Sequence, residues 1–165
     1  MKKFLLLFIF TFGLLSSCKS DKTTTYYLIR HAEKDRTDTI NRNPNLNENG
    51  LKRAQGWATY FKKRHLDAVY STDYNRTQQT AKPTAKSKKL DILSYDPRNM
   101  NAALFQKETK GKSVLIVGHS NTTPVFVNKI LGEKKYEDMN DHDNASLYIV
   151  TITGNQKTSF IEIVD

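Results

Sequence analysis

Two histidines and two arginines are the groups of this chain that could do chemistry together. Arg30-His31 follows directly on the apolar run "YYLI", Arg76 lies just beyond "DAVYS", and His119 follows "SVLIVG". A strand that needed only to end could do so on glycine, asparagine or proline. These segments run instead into cations and titratable imidazoles. A neutral imidazole can act as nucleophile or base near neutral pH, and a guanidinium presents a planar fork of donors that fits the oxygens of a phosphate. Each residue alone also reads as a capped histidine or an arginine paired to some carboxylate. The signal is their recurrence at strand ends, because sites in open α/β sheets form at the carboxyl ends of strands.

The elements that would position these groups alternate in period. Thr24–Ile29, Asp67–Ser71, Asp91–Tyr95 and Ser113–Val117 read as strands, the last being the most continuous buried run. Between them, a helix is expected from Asn47, with Leu51, Ala54, Ala58 and Phe61 on its apolar face. A second carries Arg76 and Thr80 toward Pro83, a third spans Ala102–Lys110 and stops at Gly111, and a fourth spans Thr122–Leu131 and closes at Gly132. Ala145–Ile152 and Thr158–Val164, joined through Gly154-Asn155, read as an antiparallel hairpin. The pattern indicates an α/β fold: a three-layer sandwich with a mostly parallel central sheet covered by helices, plus the C-terminal antiparallel hairpin.

Four segments carry a family resemblance. "LIRHAEK" resembles the Arg-His-Gly or Arg-His-Ala signature of the histidine phosphatase superfamily, which has the phosphoglycerate mutase-like fold. "LNENGLKRAQGWA" resembles its Leu-Thr-x-x-Gly helix entry, "YSTDYNRTQQTA" its second arginine motif, and "VLIVGHSNTTP" its second histidine motif. They lie in the family's order from Tyr26 to about Pro124.

The resemblance implies a phosphomonoester hydrolase in which His31 attacks phosphorus and forms a phosphohistidine. Arg30, Arg76 and His119 would bind the phosphoryl oxygens, together with backbone N–H groups near Ser120 and Asn121 at a helix entrance. It implies no metal and no cofactor; a site built on His31, Glu33 and His119 would have arginines repelling the cation. For the acid that protonates the leaving oxygen, Asp96 is the positional counterpart of the family's carboxylate and Glu33 the competitor. Asp138, Asp141 and Asp143, flanking His142, read as a solvated turn that could also reach over the pocket. The asparagine of mutase-like members has no match; Thr37 lies near its position.

The N-terminus reads separately. Lys2 and Lys3 precede the 12-residue apolar run Phe4–Leu15, about 18 Å as a helix and too short for a membrane span of ~30 Å. Leu15-Ser16-Ser17-Cys18 resembles a bacterial lipobox, and Cys18 is the only cysteine of the chain. The expected organisation is therefore a lipoprotein signal peptide over 1–17, a tether over 18–25 beginning at an acylated Cys18, and one domain over 26–165. The expected location is the cell envelope, at a membrane through the lipid anchor.

Loss of Lys2 and Lys3 with the leader leaves 24 basic residues against 17 acidic ones, a formal charge of +7. Such a body attracts anionic substrates. Its lysines are scattered and carry no aromatic-studded basic motif, which argues against nucleic acid as a partner. The expected partner is a small phosphorylated substrate, bound by a monomer. Two other functions compete: a phosphoglycerate mutase or cytoplasmic phosphohistidine-protein phosphatase, and a non-catalytic envelope lipoprotein that binds anions. The leader speaks against the first, and the joint presence of Arg30, His31, Arg76 and His119 against the second.

Overall fold

The computed structural model describes residues 22–99 and 102–164. The expected signal peptide and Cys18 lie outside the described residues. Ten elements follow in chain order: β1 (Thr24–Arg30), α1 (Glu48–Phe61), β2 (Ala68–Ser71), α2 (Asn75–Lys88), β3 (Ile92–Ser94), α3 (Ala102–Glu108), β4 (Ser113–Gly118), α4 (Thr122–Leu131), β5 (Ser146–Thr153) and β6 (Gln156–Ile163). Thr24 and Thr25, read both as the end of the tether and as the start of the first strand, belong to β1.

The strands form one sheet in the order β3-β2-β4-β1-β5-β6. β3, β2, β4 and β1 run parallel, β5 runs antiparallel to β1, and β6 closes the hairpin against β5. Side chains of a strand alternate between faces, and the core follows that period. Tyr26 and Leu28 of β1, with Val114 and Ile116 of β4, pack against Phe105 of α3 and Phe126, Val127 and Ile130 of α4. Ile29, Leu115 and Val117 point the other way, onto Trp57 and Phe61 of α1 and Ala81 and Ala85 of α2. β4, central in the sheet, is buried on both faces, as its unbroken apolar run requires.

Three local readings need correction. Leu51 is 51 % exposed, and the inner face of α1 runs through Gly50, Ala54, Trp57 and Phe61. Gly50 fixes that rotation, because its backbone lies against Glu33; a Cβ there would sit 2.1 Å from the Glu33 carbonyl oxygen. α2 continues through Pro83 to Lys88, burying Thr77, Thr80, Ala81, Thr84 and Ala85 along its length. Packing of that whole face outweighs the one intrahelical bond a proline removes. α3 ends at Glu108 rather than Lys110.

The register matters most for function. Arg30 of β1 lies opposite Gly118 of β4, and Ser71 of β2 opposite Val117. The carboxyl ends of the three strands are therefore level, and the residues that follow them, His31, Thr72 and His119, emerge along one edge.

Candidate active site

That edge opens into a cleft of about 670 Å³, lined by Arg30, His31, Arg76, Asp96, His119 and Ser120 among others. Five of the six sequence-predicted catalytic residues thus share one cleft with the predicted anion-binding Ser120. The exception is Glu33.

His31 is buried and tightly placed. Its N–H donates to the Gly118 carbonyl at 2.9 Å, its carbonyl accepts from Asn144 Nδ2 at 2.8 Å, and its Nδ1 lies 2.8 Å from the Ala32 carbonyl oxygen. Only a protonated Nδ1 can donate to a carbonyl. Burial lowers the pKa of the ring from 6.5 to about 3, reinforced by the charges of Arg30 and Arg76 and by His119, against the opposing effect of the Ala32 bond. A neutral ring with its proton on Nδ1 keeps a lone pair on Nε2. Burial is thus a larger cause of the neutral ring than the neighbouring arginines.

His119 stands across from it, the ring centroids 5.5 Å apart and inclined at 69°. Its Nε2 lies 2.9 Å from Thr72 Oγ1. Thr72 Oγ1 donates to Thr77 Oγ1 at 3.0 Å, and Thr77 Oγ1 in turn donates to the Thr72 carbonyl at 2.8 Å. With its proton committed to Thr77, the Thr72 hydroxyl accepts from His119 Nε2–H, leaving the lone pair on Nδ1, 3.4 Å from Arg76 Nη2. Burial, then Arg76 and Arg30, lower this ring to about 4. Gly118 lets the strand turn here, because a Cβ would meet Thr123 Oγ1 at 2.8 Å and the Tyr95 hydroxyl at 2.9 Å. α4 then starts at Thr122, with Ser120 and Asn121 just before its N-terminus.

Both arginines have a buried Nε–H with no hydrogen-bond partner among the described residues. Arg76 is half-buried; one Nη reaches the Arg42 carbonyl at 3.5 Å, and its guanidinium lies 4.5 Å from the Tyr74 ring centroid. Buried donors are paired in the great majority of proteins. Two unpaired guanidinium N–H groups beside a neutral imidazole are what a bound oxyanion would satisfy.

The carboxylates divide. Asp96 lines the cleft, but Arg98 grips it with Nε and Nη2, both at 3.1 Å, and these bonds hold its pKa below the ordinary carboxylate value. Glu33 accepts from Arg53 Nε at 2.8 Å and helps line a separate cavity of about 370 Å³ beside Trp57. His31, Glu33 and His119 therefore do not assemble as ligands of one cation. Among the described residues, no group of three or more histidine, cysteine and acidic side chains is placed to hold a metal.

Sequence reasoning missed three features. Asp141, read as part of a solvated turn, pairs with the buried Arg30. The Thr77–Thr72 relay that orients His119 carried no sequence signal, and neither did the amide of Asn144 on His31.

Residues 26–98 match the family model of the histidine phosphatase superfamily (branch 1). Over 74 residues the chain is 35 % identical to phosphoserine phosphatase 1 of Hydrogenobacter thermophilus, a match covering 42 % of this chain and 35 % of that protein. The chain thus spans about a third of the curated relative it matches. The fold is also similar to the crystal structure of a phosphoglycerate mutase from Bacillus anthracis (TM-score 0.62, 18 % identity, 88 % of this chain and 94 % of that one). A phosphoserine phosphatase mutant from Entamoeba histolytica, in complex with phosphoserine, gives a TM-score of 0.63 at 15 % identity, covering 86 % and 97 %. The matched segment contains the Arg30-His31 and Arg76 motifs, so over residues 26–98 the chain is similar to the histidine phosphatase superfamily, and its elements complete a fold similar to those two structures.

Proposed function

We propose that the protein hydrolyses small phosphate monoesters through a phosphohistidine on His31. One observation carries the reading: a buried, neutral His31 with its proton tied to the Ala32 carbonyl shares its cleft with two arginines whose buried Nε–H groups have no hydrogen-bond partner among the described residues.

The phosphoryl group sits between His31 and His119, its oxygens held by Arg30 Nε, Arg76 and the N–H groups before α4. His31 Nε2 attacks phosphorus, and the N–P bond forms as the ester P–O bond breaks. The leaving oxygen takes a proton from Asp96, whose carboxylate must first release Arg98 and take up a proton from solvent, since Arg98 holds its pKa below the ordinary value. Water then attacks the phosphohistidine, its proton passes to Asp96, and the N–P electron pair returns to Nε2. Asp96 is preferred to Glu33 because it lines the cleft that holds His31 together with Arg76 and His119, whereas the cavity Glu33 shares with Arg30 and His31 contains neither Arg76 nor His119. The anion raises the pKa of His119, so the protonated ring donates to it from Nδ1.

The substrate class follows from the charge of the cleft, and the phosphoserine phosphatases among the similar proteins make phosphoserine the first ester to try. The lipobox-like stretch ending at Cys18 supports export to the cell envelope and membrane attachment by acylation. Labelling with a radioactive fatty acid that marks wild type and Cys18→Ala equally would remove that part of the reading.

The enzymatic part is tested on protein lacking residues 1–18. Brief incubation with a phosphate ester, followed by a denaturing quench without acid, should trap phosphate on His31 as an acid-labile phosphoramidate. His31→Ala should abolish the label and lower turnover by about 10³-fold or more. Phosphate found on His119 or Ser120, or near-normal turnover of His31→Ala, would overturn the mechanism.

A further inference from the structure

The 14 residues between α4 and β5, 132–145, contain no helix or strand, yet they are fixed at several points. Asn128 of α4 accepts from the N–H groups of Lys135 and Tyr136, both at 3.0 Å, and returns a bond to the Tyr136 carbonyl at 2.7 Å. Met139 is buried in the core against α4, and its N–H donates to the Ser120 carbonyl at 2.9 Å. Asp143 caps the entry to β5, accepting from Ser146 N at 3.0 Å and Ser146 Oγ at 2.7 Å. A connection of this length without regular structure is more often functional than not. This one is a strap across the ends of β1 and β4.

What the strap grips is Arg30. The guanidinium has five N–H donors. Nη1 donates to the carbonyls of Asn140 and Asp143, each at 3.2 Å, and Nη2 to Asp141 Oδ1 at 2.5 Å. Three donors are thus spent on one segment, and Nε–H and one Nη2 hydrogen remain. The other oxygen of Asp141 accepts from Arg36 Nη2 at 2.7 Å, so the carboxylate is held between two cations. Arg30 is 2 % exposed and Asp141 57 % exposed: the anion sits at the rim and the cation is fixed beneath it.

We infer that Asp141 is a positioning residue: by fixing the Nη edge of Arg30 from outside, it aims the Nε edge at the phosphoryl group on His31. This inference deepens the phosphatase reading and rests on it. Two rival roles for a carboxylate here make opposite predictions. As a competitor of the phosphate for Arg30, its removal would tighten anion binding. As the acid for the leaving oxygen, its removal would hurt alkyl phosphates far more than p-nitrophenyl phosphate, whose leaving group needs no proton.

The test uses Asp141→Ala and Asp141→Asn, the latter keeping an oxygen at the Oδ1 position. Three quantities are read: turnover of phosphoserine and of p-nitrophenyl phosphate, calorimetric binding of inorganic phosphate, and the thermal midpoint. Positioning requires that Asp141→Ala lower kcat/KM for both esters by the same factor, roughly 10- to 100-fold. It also requires weaker phosphate binding, recovery of much of the loss in Asp141→Asn, and little change in thermal midpoint. Tighter phosphate binding, a loss confined to phosphoserine, unchanged kinetics, or no recovery in Asp141→Asn would each overturn it. Wild-type protein that neither turns over nor forms phosphohistidine would defeat the phosphatase reading instead, and the phosphate titrations would still report whether Asp141 sets the grip of Arg30.

Discussion

His31 and His119 face each other with ring centroids 5.5 Å apart at 69°, and their protons are directed away from one another. His31 gives its Nδ1 proton to the Ala32 carbonyl and His119 its Nε2 proton to Thr72. Two cationic rings at this separation, beside two arginines, would repel. Burial and those arginines hold both rings neutral, at about 3 and about 4.

The first prediction is a pH dependence of stability. Both folded-state values lie below the ordinary 6.5, so the unfolded chain takes up protons first as pH falls. The contribution of the two neutral rings is complete above pH 6.5 and is lost as pH falls through that value toward 4 and 3. Carboxylates such as Asp96, lowered by Arg98, act in the same direction but only below about pH 4. Urea midpoints measured from pH 7 to 4.5 should therefore decline in wild type, and more shallowly in His31→Asn. Parallel curves would mean that His31 is not held neutral.

The second prediction concerns proton uptake. A phosphate dianion between the rings favours their charged forms and raises both values. Binding of sulfate, which stays doubly charged at pH 5.5 and stands in for that dianion, should take up protons, seen as a calorimetric enthalpy that varies with the ionisation enthalpy of the buffer. His119→Gln should reduce that uptake, because His119 is the ring expected to donate to the anion. Uptake unchanged in His119→Gln would assign the proton elsewhere.

The third prediction addresses Arg76. Its Nε–H is buried without a partner among the described residues, and its other bonds are long. Arg76→Ala should lower kcat/KM by about 10²–10³-fold, as when one preorganised donor to a developing charge is removed. The urea midpoint should change little, since no short bond within the fold is broken. A large stability loss with full activity in the folded fraction would make Arg76 a structural residue.

These contrasts show which parts of the site were legible in the sequence. Arg30, His31 and His119 sit within one residue of a strand end, and Arg76 within five, so local periodicity was enough to locate them. The partners that set their chemistry come from far along the chain. Asp141 meets Arg30 across 111 residues, and Asn144 meets His31 across 113. An acidic run around His142 reads equally as a solvated turn, and nothing local says which carboxylate turns inward. The same limit applied to α1, where Leu51 fits an apolar stripe. Only the close approach of Gly50 to Glu33 rotates that stripe to Trp57.

Gly50 supplies the fourth prediction. Gly50→Ala places a methyl group 2.1 Å from the Glu33 carbonyl oxygen, a contact with backbone on both sides that cannot be relieved by a rotamer change. α1 must shift away from the segment after β1, and overpacking of this kind costs about 1–3 kcal/mol. Because Glu33 is two residues from His31, activity should fall along with stability. Gly56→Ala is the control on the same helix, since a Cβ there meets nothing within 4 Å. It should be neutral or slightly stabilising by helix propensity. Equal thermal midpoints for the two variants would refute the close approach.

The last prediction concerns Thr72, which is buried and lies between Thr77 and His119. Thr72→Val keeps the shape and deletes the hydroxyl, so His119 Nε2–H loses its acceptor and Thr77 Oγ1 loses its donor. Leaving such buried groups unpaired costs about 1–3 kcal/mol, measurable as a lower urea midpoint. The catalytic consequence is separable, because the hydroxyl fixes which nitrogen of His119 carries the proton. Freed of Thr72, the ring can move its proton to Nδ1, toward Arg76 and the anion site. Nitrogen chemical shifts of the His119 ring should then move from the Nε2–H pattern toward a mixture, and turnover should drop roughly tenfold or more as the ring loses its orientation. Thr72→Ser, which retains the hydroxyl, should restore both the shifts and most of the rate. If Thr72→Val keeps the Nε2–H pattern and the wild-type rate, the relay from Thr77 through Thr72 does not set the state of His119, and its orientation must come from the turn at Gly118 alone.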